Sequence, residues 1–159
     1  MRLKVEPMRH SLCELKSSSI HGRGVFAVTD IPNGTRIIEY KGERITQAEA
    51  DRRYEKKLRT STHTFLFAIN ERTVIDGGRF GNIARYINHS CDPNCETVLE
   101  GERVFIEAVR DIVGGEELLM DYRLQVDTDD EDEWLEKYPC RCGATNCRGT
   151  LVRFSRDSE

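Results

Sequence analysis

The stretch RYINHSCDPNC, residues 85–95, crowds Asn, His, Ser, Asp and two Cys around a single Pro. These are the side chains that form turns and hold ligands. Packed into one short segment, they mark a loop that binds something. Just ahead, Ile83, Tyr86 and Ile87 have helical spacing, so a short helical turn is expected to lead into it.

A second cluster answers the first. CRCGATNC places Cys140, Cys142 and Cys147 in a C-x-C-x₄-C arrangement. Three thiolates so close can chelate one tetrahedral Zn²⁺, with Gly143 letting the chain turn around the ion. A structural zinc needs a fourth ligand, and the quoted loop offers two, Cys91 and Cys95. Shared zinc would close loop and tail on each other and stabilise a site that the tail could not build alone. Cys13 stands apart and reads as a small core residue. Metal binding is preferred over cross-linking because the N-terminus, MRLKVEPMRHSLCEL, has no apolar signal region or small-residue cleavage site. A reducing compartment is then expected, where structural disulfides are rare.

The 159 residues suit one domain, and 38% hydrophobic with 33% charged residues fits a globular protein. No run reaches the roughly 18 apolar residues that a membrane span needs. A net charge of −4 argues against a general grip on nucleic-acid phosphates and suits a basic peptide as partner.

Short strand patterns dominate. Residues 25–28 are apolar before the turn DIPNG, and RIIEY follows. TQAEADRRYEKKLR reads as an exposed helix, with Thr46 as N-cap and Glu49 three residues on. HTFLFAI, residues 63–69, and TVID read as strands around a polar turn. ETVLE, GER and VFIEAV read as a hairpin, and ELLMDY as a further strand. The acidic run at residues 127–133 reads as a solvated linker, with an electrostatic lip for a cationic substrate as the alternative.

IHGRGVF, RYINHSCDPNC, GEELLMDY and CRCGATNCRG, in this order, resemble the SET-domain protein lysine methyltransferases that carry a post-SET zinc module. The resemblance covers about residues 21–149. It implies a mainly β fold, with small sheets around a knot-like core and a few short helices. It divides the chain into a SET domain with a short lead-in (1–126), an acidic linker (127–137), a post-SET module (138–153) and a polar tail (154–159). It implies S-adenosylmethionine as cofactor, one structural Zn²⁺, and methyl transfer to a lysine of a basic peptide, histone tails among them. Carried over by motif, His21, Gly22 and Arg23 hold the methionine end of the cofactor, and Asn88 and His89 contact its amino group and adenine. Tyr138, Arg141 and Leu151 cover the adenine, and Tyr122 is the catalytic tyrosine. Cys91 is preferred over Cys95 as the zinc ligand joining Cys140, Cys142 and Cys147.

Two residues depart from the family pattern. Phe65, counted with both the cofactor contacts and the substrate channel, stands where many relatives have Tyr. Met120, also in the channel, stands where Phe or Tyr is usual. A roomier, less hydrogen-bonded channel that permits more than one methylation is expected. The alternatives are a catalytically silent module that binds peptide or cofactor and, disfavoured by charge, a small zinc module for nucleic acid. The expected location is cytoplasmic in a bacterium, and nuclear in a eukaryote or after delivery into a host. Both a compact enzyme and a fragment of a longer protein fit this reading.

Overall fold

The computed structural model describes residues 10–58, 65–126 and 131–154. The chain opens with β1 (Cys13–Ser17) and β2 (Arg23–Ala27), an antiparallel pair in which Leu15 faces Val25. β3 (Arg36–Tyr40) and β4 (Glu43–Thr46) follow, then helix α1 (Gln47–Leu58). β5 (Leu66–Ala68) and β6 (Thr73–Asp76) pair antiparallel, with β6 central between β4 and β5. A 3-10 turn (Ile83–Tyr86) leads into β7 (Asn88–His89), and β8 (Cys95–Glu100) with β9 (Arg103–Ala108) forms a hairpin. β10 (Leu119–Met120), β11 (Leu124–Val126), helix α2 (Glu131–Lys137) and β12 (Val152–Phe154) complete the chain. The molecule is mainly β, as expected, and no helix among the described residues is long and apolar enough to cross a membrane.

The largest sheet has the order β3-β9-β8-β10-β7. β10 lies parallel to both β7 and β8, so Met120 stands beside His89 on one side and Cys95 on the other. This sheet and the β1–β2 pair enclose the main core, which includes Val25, Ile38, Ile75, Ile87, Ile106 and Leu118. Cys13 and Cys95 are both buried in that core. Burial pushes the thiol of Cys13 up to about 11 and that of Cys95 to about 12, so both stay protonated and inert.

The helix expected from residue 46 forms, and the Thr46 hydroxyl accepts from the Glu49 N–H at 3.1 Å. Such a cap is worth about 1 kcal/mol. One face is less exposed than its charged sequence suggested. Ala50 is buried, and Arg53 reaches Glu43 at 2.7 Å and the buried Asp76 at 3.1 Å. Tyr54 donates to the same Asp76 carboxylate at 2.7 Å, and so does the Gly78 N–H at 2.9 Å. A buried charge is tolerated when its oxygens are filled in this way. Of HTFLFAI, the strand covers only β5, and residues 63 and 64 lie outside the described residues. So do residues 127–130 of the acidic run, while the rest of that segment is helix α2. The sequence reading passed over β1, β4, β11 and β12, the last two of only three residues each.

Candidate functional site

The quoted loop is held from both sides. Asn82 caps the 3-10 turn by accepting from the Ala84 N–H at 3.3 Å. The turn carries Arg85 and Tyr86 and delivers Asn88 and His89 into β7 beside β10. Both are buried.

Asn88 ties this segment to the first motif. Its Nδ2 donates to the carbonyl oxygens of His21 (3.2 Å) and Arg23 (3.0 Å), and to Glu117 Oε1 (2.8 Å). Glu117 in turn accepts from the Ser18 hydroxyl at 2.9 Å. A Cβ on Gly24 would overlap the Glu117 carboxylate, so a larger residue there would push that carboxylate away from Asn88 and Ser18. The result is a cavity of about 140 Å³ lined by His21, Gly22, Arg23, Arg85, Tyr86, Asn88 and Tyr122. Five of these seven are residues singled out from the sequence; Arg85 and Tyr86 are additional.

Tyr122 follows β10 and turns its ring against His89, with centroids 5.3 Å apart and edge-on geometry. Its hydroxyl donates to the Ile87 carbonyl oxygen at 2.7 Å. Burial, with a smaller push from Glu117, raises this phenol above its usual range, so it stays protonated. Burial pushes the His89 imidazole the other way, down to about 4, and the ring is neutral near pH 7.

Phe65 lies outside the cavity lining but packs edge-on against Tyr86 at 5.5 Å, with the Arg85 guanidinium 5.3 Å over its ring. Its carbonyl oxygen accepts from the Tyr40 hydroxyl at 2.7 Å. Tyr40 is a buried neighbour of the site that the sequence reading passed over, because RIIEY looks like plain strand. Met120 is buried in the core cluster against which Tyr122 packs.

The cysteines converge. Sγ atoms of Cys91, Cys140, Cys142 and Cys147 all lie within 4.8 Å of one another. Cys91 is 3.8 Å from Cys140 and 4.0 Å from Cys147. Zinc–sulfur bonds of about 2.3 Å in a tetrahedron require sulfurs about 3.8 Å apart, so the set is compatible with zinc. Backbone N–H groups of Arg148 and Gly149 point at sulfurs, each at 3.4 Å. Gly143 takes φ +74°, a left-handed turn that suits glycine and swings the chain around the cluster. The choice between Cys91 and Cys95 thus falls on Cys91, since Cys95 is buried in the core.

The tail carries the three remaining predicted residues. Leu151 N–H donates to the Tyr138 carbonyl at 3.0 Å, and the Tyr138 ring stacks on Trp134 at 5.5 Å. Arg141 is exposed. None of the three lines the cavity beside Asn88.

A family model described as the SET domain matches residues 22–123. The chain is 45% identical over 139 residues to a histone-lysine N-methyltransferase, H3 lysine-4 specific, of Eremothecium gossypii, covering 84% of this chain and 14% of that protein. It is 44% identical to the proteins of the same name from Saccharomyces cerevisiae and Schizosaccharomyces pombe, again over 84% of this chain, and over 12% and 14% of theirs. The chain therefore spans only a small part of these relatives. Among solved structures, a humanized mutant of the Chaetomium thermophilum Polycomb Repressive Complex 2 bound to the inhibitor GSK126 superposes with a TM-score of 0.61. It is 35% identical, and the match covers 68% of this chain and 14% of that one. By motif order, fold and matched residues alike, the chain belongs to the SET-domain family.

Proposed function

We propose that this chain transfers methyl groups from S-adenosylmethionine to a lysine of a basic protein, with the histone H3 tail as the first substrate to try. The observation that carries this reading is the cavity where the first motif, Asn88 and Tyr122 meet. Its 140 Å³ is below the roughly 300 Å³ usual for a whole ligand, which suits it to the methionine end of the cofactor. The adenine would then lie toward the tail, against Tyr138, Arg141 and Leu151. His21, Gly22, Arg23, Asn88 and His89 would hold the rest, with Phe65 and Met120 shaping the lysine channel. Cys91, Cys140, Cys142 and Cys147 would hold one structural zinc. The H3 lysine-4 specificity stated for the fungal relatives supports a histone substrate and a nuclear location.

The chemistry asked of these residues is modest. The nucleophile is a neutral amine, whose ordinary pKa is about 10.4. Apolar walls and a neighbouring sulfonium charge both favour loss of its proton. No strong base is then needed, and a protonated Tyr122 serves by orienting the amine and the methyl group for in-line attack.

Incubation with radiolabelled cofactor and a panel of basic proteins tests the reading. Label on lysine supports it. Cofactor binding with no transfer to any protein would instead favour a silent binding module.

A further inference from the structure

Between Met120 and Tyr122 sits Asp121, a residue that no part of the reading above uses. Its side chain is only 8% exposed and collects four hydrogen bonds. Arg148 donates through Nη1 to Oδ2 at 3.0 Å and through Nη2 to Oδ1 at 3.1 Å. Arg153 donates to Oδ2 at 2.7 Å. The Arg123 N–H donates to Oδ1 at 3.0 Å. That last bond sits on a backbone turn with φ +48° at Arg123, unusual for a side-chain-bearing residue. The turn sends the chain from β10 into β11, which is the strand that pairs with β12 of the tail.

One carboxylate thus fixes the tail from two directions. Arg148 lies between Cys147 and Gly149, and its own N–H points at Cys91 Sγ. Arg153 lies in β12, and its Nε is buried with no hydrogen-bond partner among the described residues, a cost accepted in reaching Asp121. Two-point pairing of a planar guanidinium with a carboxylate is geometrically demanding, so it sets the orientation of the tail as well as its attachment.

We infer that Asp121 is a positioning residue that clamps the C-terminal segment through Arg148 and Arg153, holding the cysteine cluster and the Tyr138–Leu151 face against the cofactor cavity. The inference rests on the cofactor reading proposed above. Asp121 does not line the cavity, and although its Oδ1 lies 3.7 Å from Nδ1 of the neutral His89, its hydrogen bonds to the tail run through the two arginines.

The test compares the zinc-loaded full chain with Asp121→Asn, with Arg148→Gln/Arg153→Gln, and with all three changes together. Zinc transfer to a chromophoric chelator reports tail release. Calorimetry with S-adenosylhomocysteine reports the cofactor site. Asp121→Asn should release zinc about tenfold faster and bind S-adenosylhomocysteine about tenfold more weakly, the scale of one charge-assisted bond. It should raise KM for the cofactor more than it lowers kcat, which general loss of folded protein would not do. In the background of the two arginine substitutions, Asp121→Asn should add nothing further. Unchanged zinc release in both variants, or effects that add in full, would overturn the clamp. If Asp121→Asn does not fold, the double arginine variant, altered at partly exposed side chains, decides the matter by the same zinc-release rate. A wild type that binds no S-adenosylhomocysteine would defeat the cofactor reading, while zinc release would still decide the clamp.

Discussion

The backbone N–H of Tyr122 donates to Nδ1 of His89 at 3.0 Å. That bond fixes the tautomer. The proton of the neutral ring must sit on Nε2, which lies 3.4 Å from Cys91 Sγ and can donate to it. One imidazole thereby joins the candidate catalytic residue to a candidate metal ligand. His89→Ala strands a buried N–H and strips an outer hydrogen bond from the sulfur. Chelator competition should show metal affinity falling by about 10–100-fold. Denaturant unfolding should show a loss of about 1–3 kcal/mol.

The six cysteines should separate into two groups. In the zinc-loaded protein, alkylation followed by mass spectrometry should find none of them modified. After chelation, Cys91, Cys140, Cys142 and Cys147 should label within the folded protein. Cys13 and Cys95, both buried with raised thiol pKa values, should label only on unfolding.

The ion pairs of Asp121 carry a pH signature. Burial alone would raise its carboxyl, but hydrogen bonds from Arg148, Arg153 and the Arg123 N–H outweigh it and hold the group at about 2. A carboxylate whose folded pKa is depressed stabilises the fold above its unfolded pKa of about 3.9 and loses that contribution as pH falls. The gap in stability between wild type and Asp121→Asn should therefore be level, at about 2 kcal/mol, from pH 8 to 5. It should shrink between pH 4 and about 2. Denaturant titrations across this range check it, and a gap that widens on acidification would refute the assignment.

Channel size is open to a direct test at Met120. The side chain is flexible and apolar, and the family resemblance leads to an aromatic ring being expected at this position. With excess enzyme and cofactor, mass spectrometry of a single-lysine peptide should show more than one methyl added by wild type. Met120→Phe should shift the product toward one methyl. The exchange also risks overpacking, since Met120 is buried in the core, at a cost of about 1–3 kcal/mol. A strictly single methyl from wild type would rule out the roomier channel.

Much of this was legible in the residues because it rests on chemistry that short motifs carry. Cysteine spacing announces a metal, and the ordered motifs give the family. The helix from Thr46 and the β8–β9 hairpin follow from capping and alternation. What stayed hidden depends on distant contacts. The two-residue strand β7 exists only because it lies beside β10, and it has no period to read. Ion pairs 27 and 32 residues apart give Asp121 its role, and nothing local distinguishes it from any other acid before a tyrosine. Residues alone left Cys91 and Cys95 as equal candidates; packing separated them, one into the core and one onto the tail.

Lysine methylation itself is tested most directly by mass spectrometry of an H3 tail peptide after incubation with S-adenosylmethionine, comparing wild type with Tyr122→Phe. The account predicts whole-methyl mass increments on a lysine with wild type, and a rate about 100-fold lower in the variant, whose fold should survive loss of one hydroxyl. An unmodified peptide and an unmodified set of core histones with well-folded, zinc-loaded wild type, or equal rates from both proteins, would contradict it.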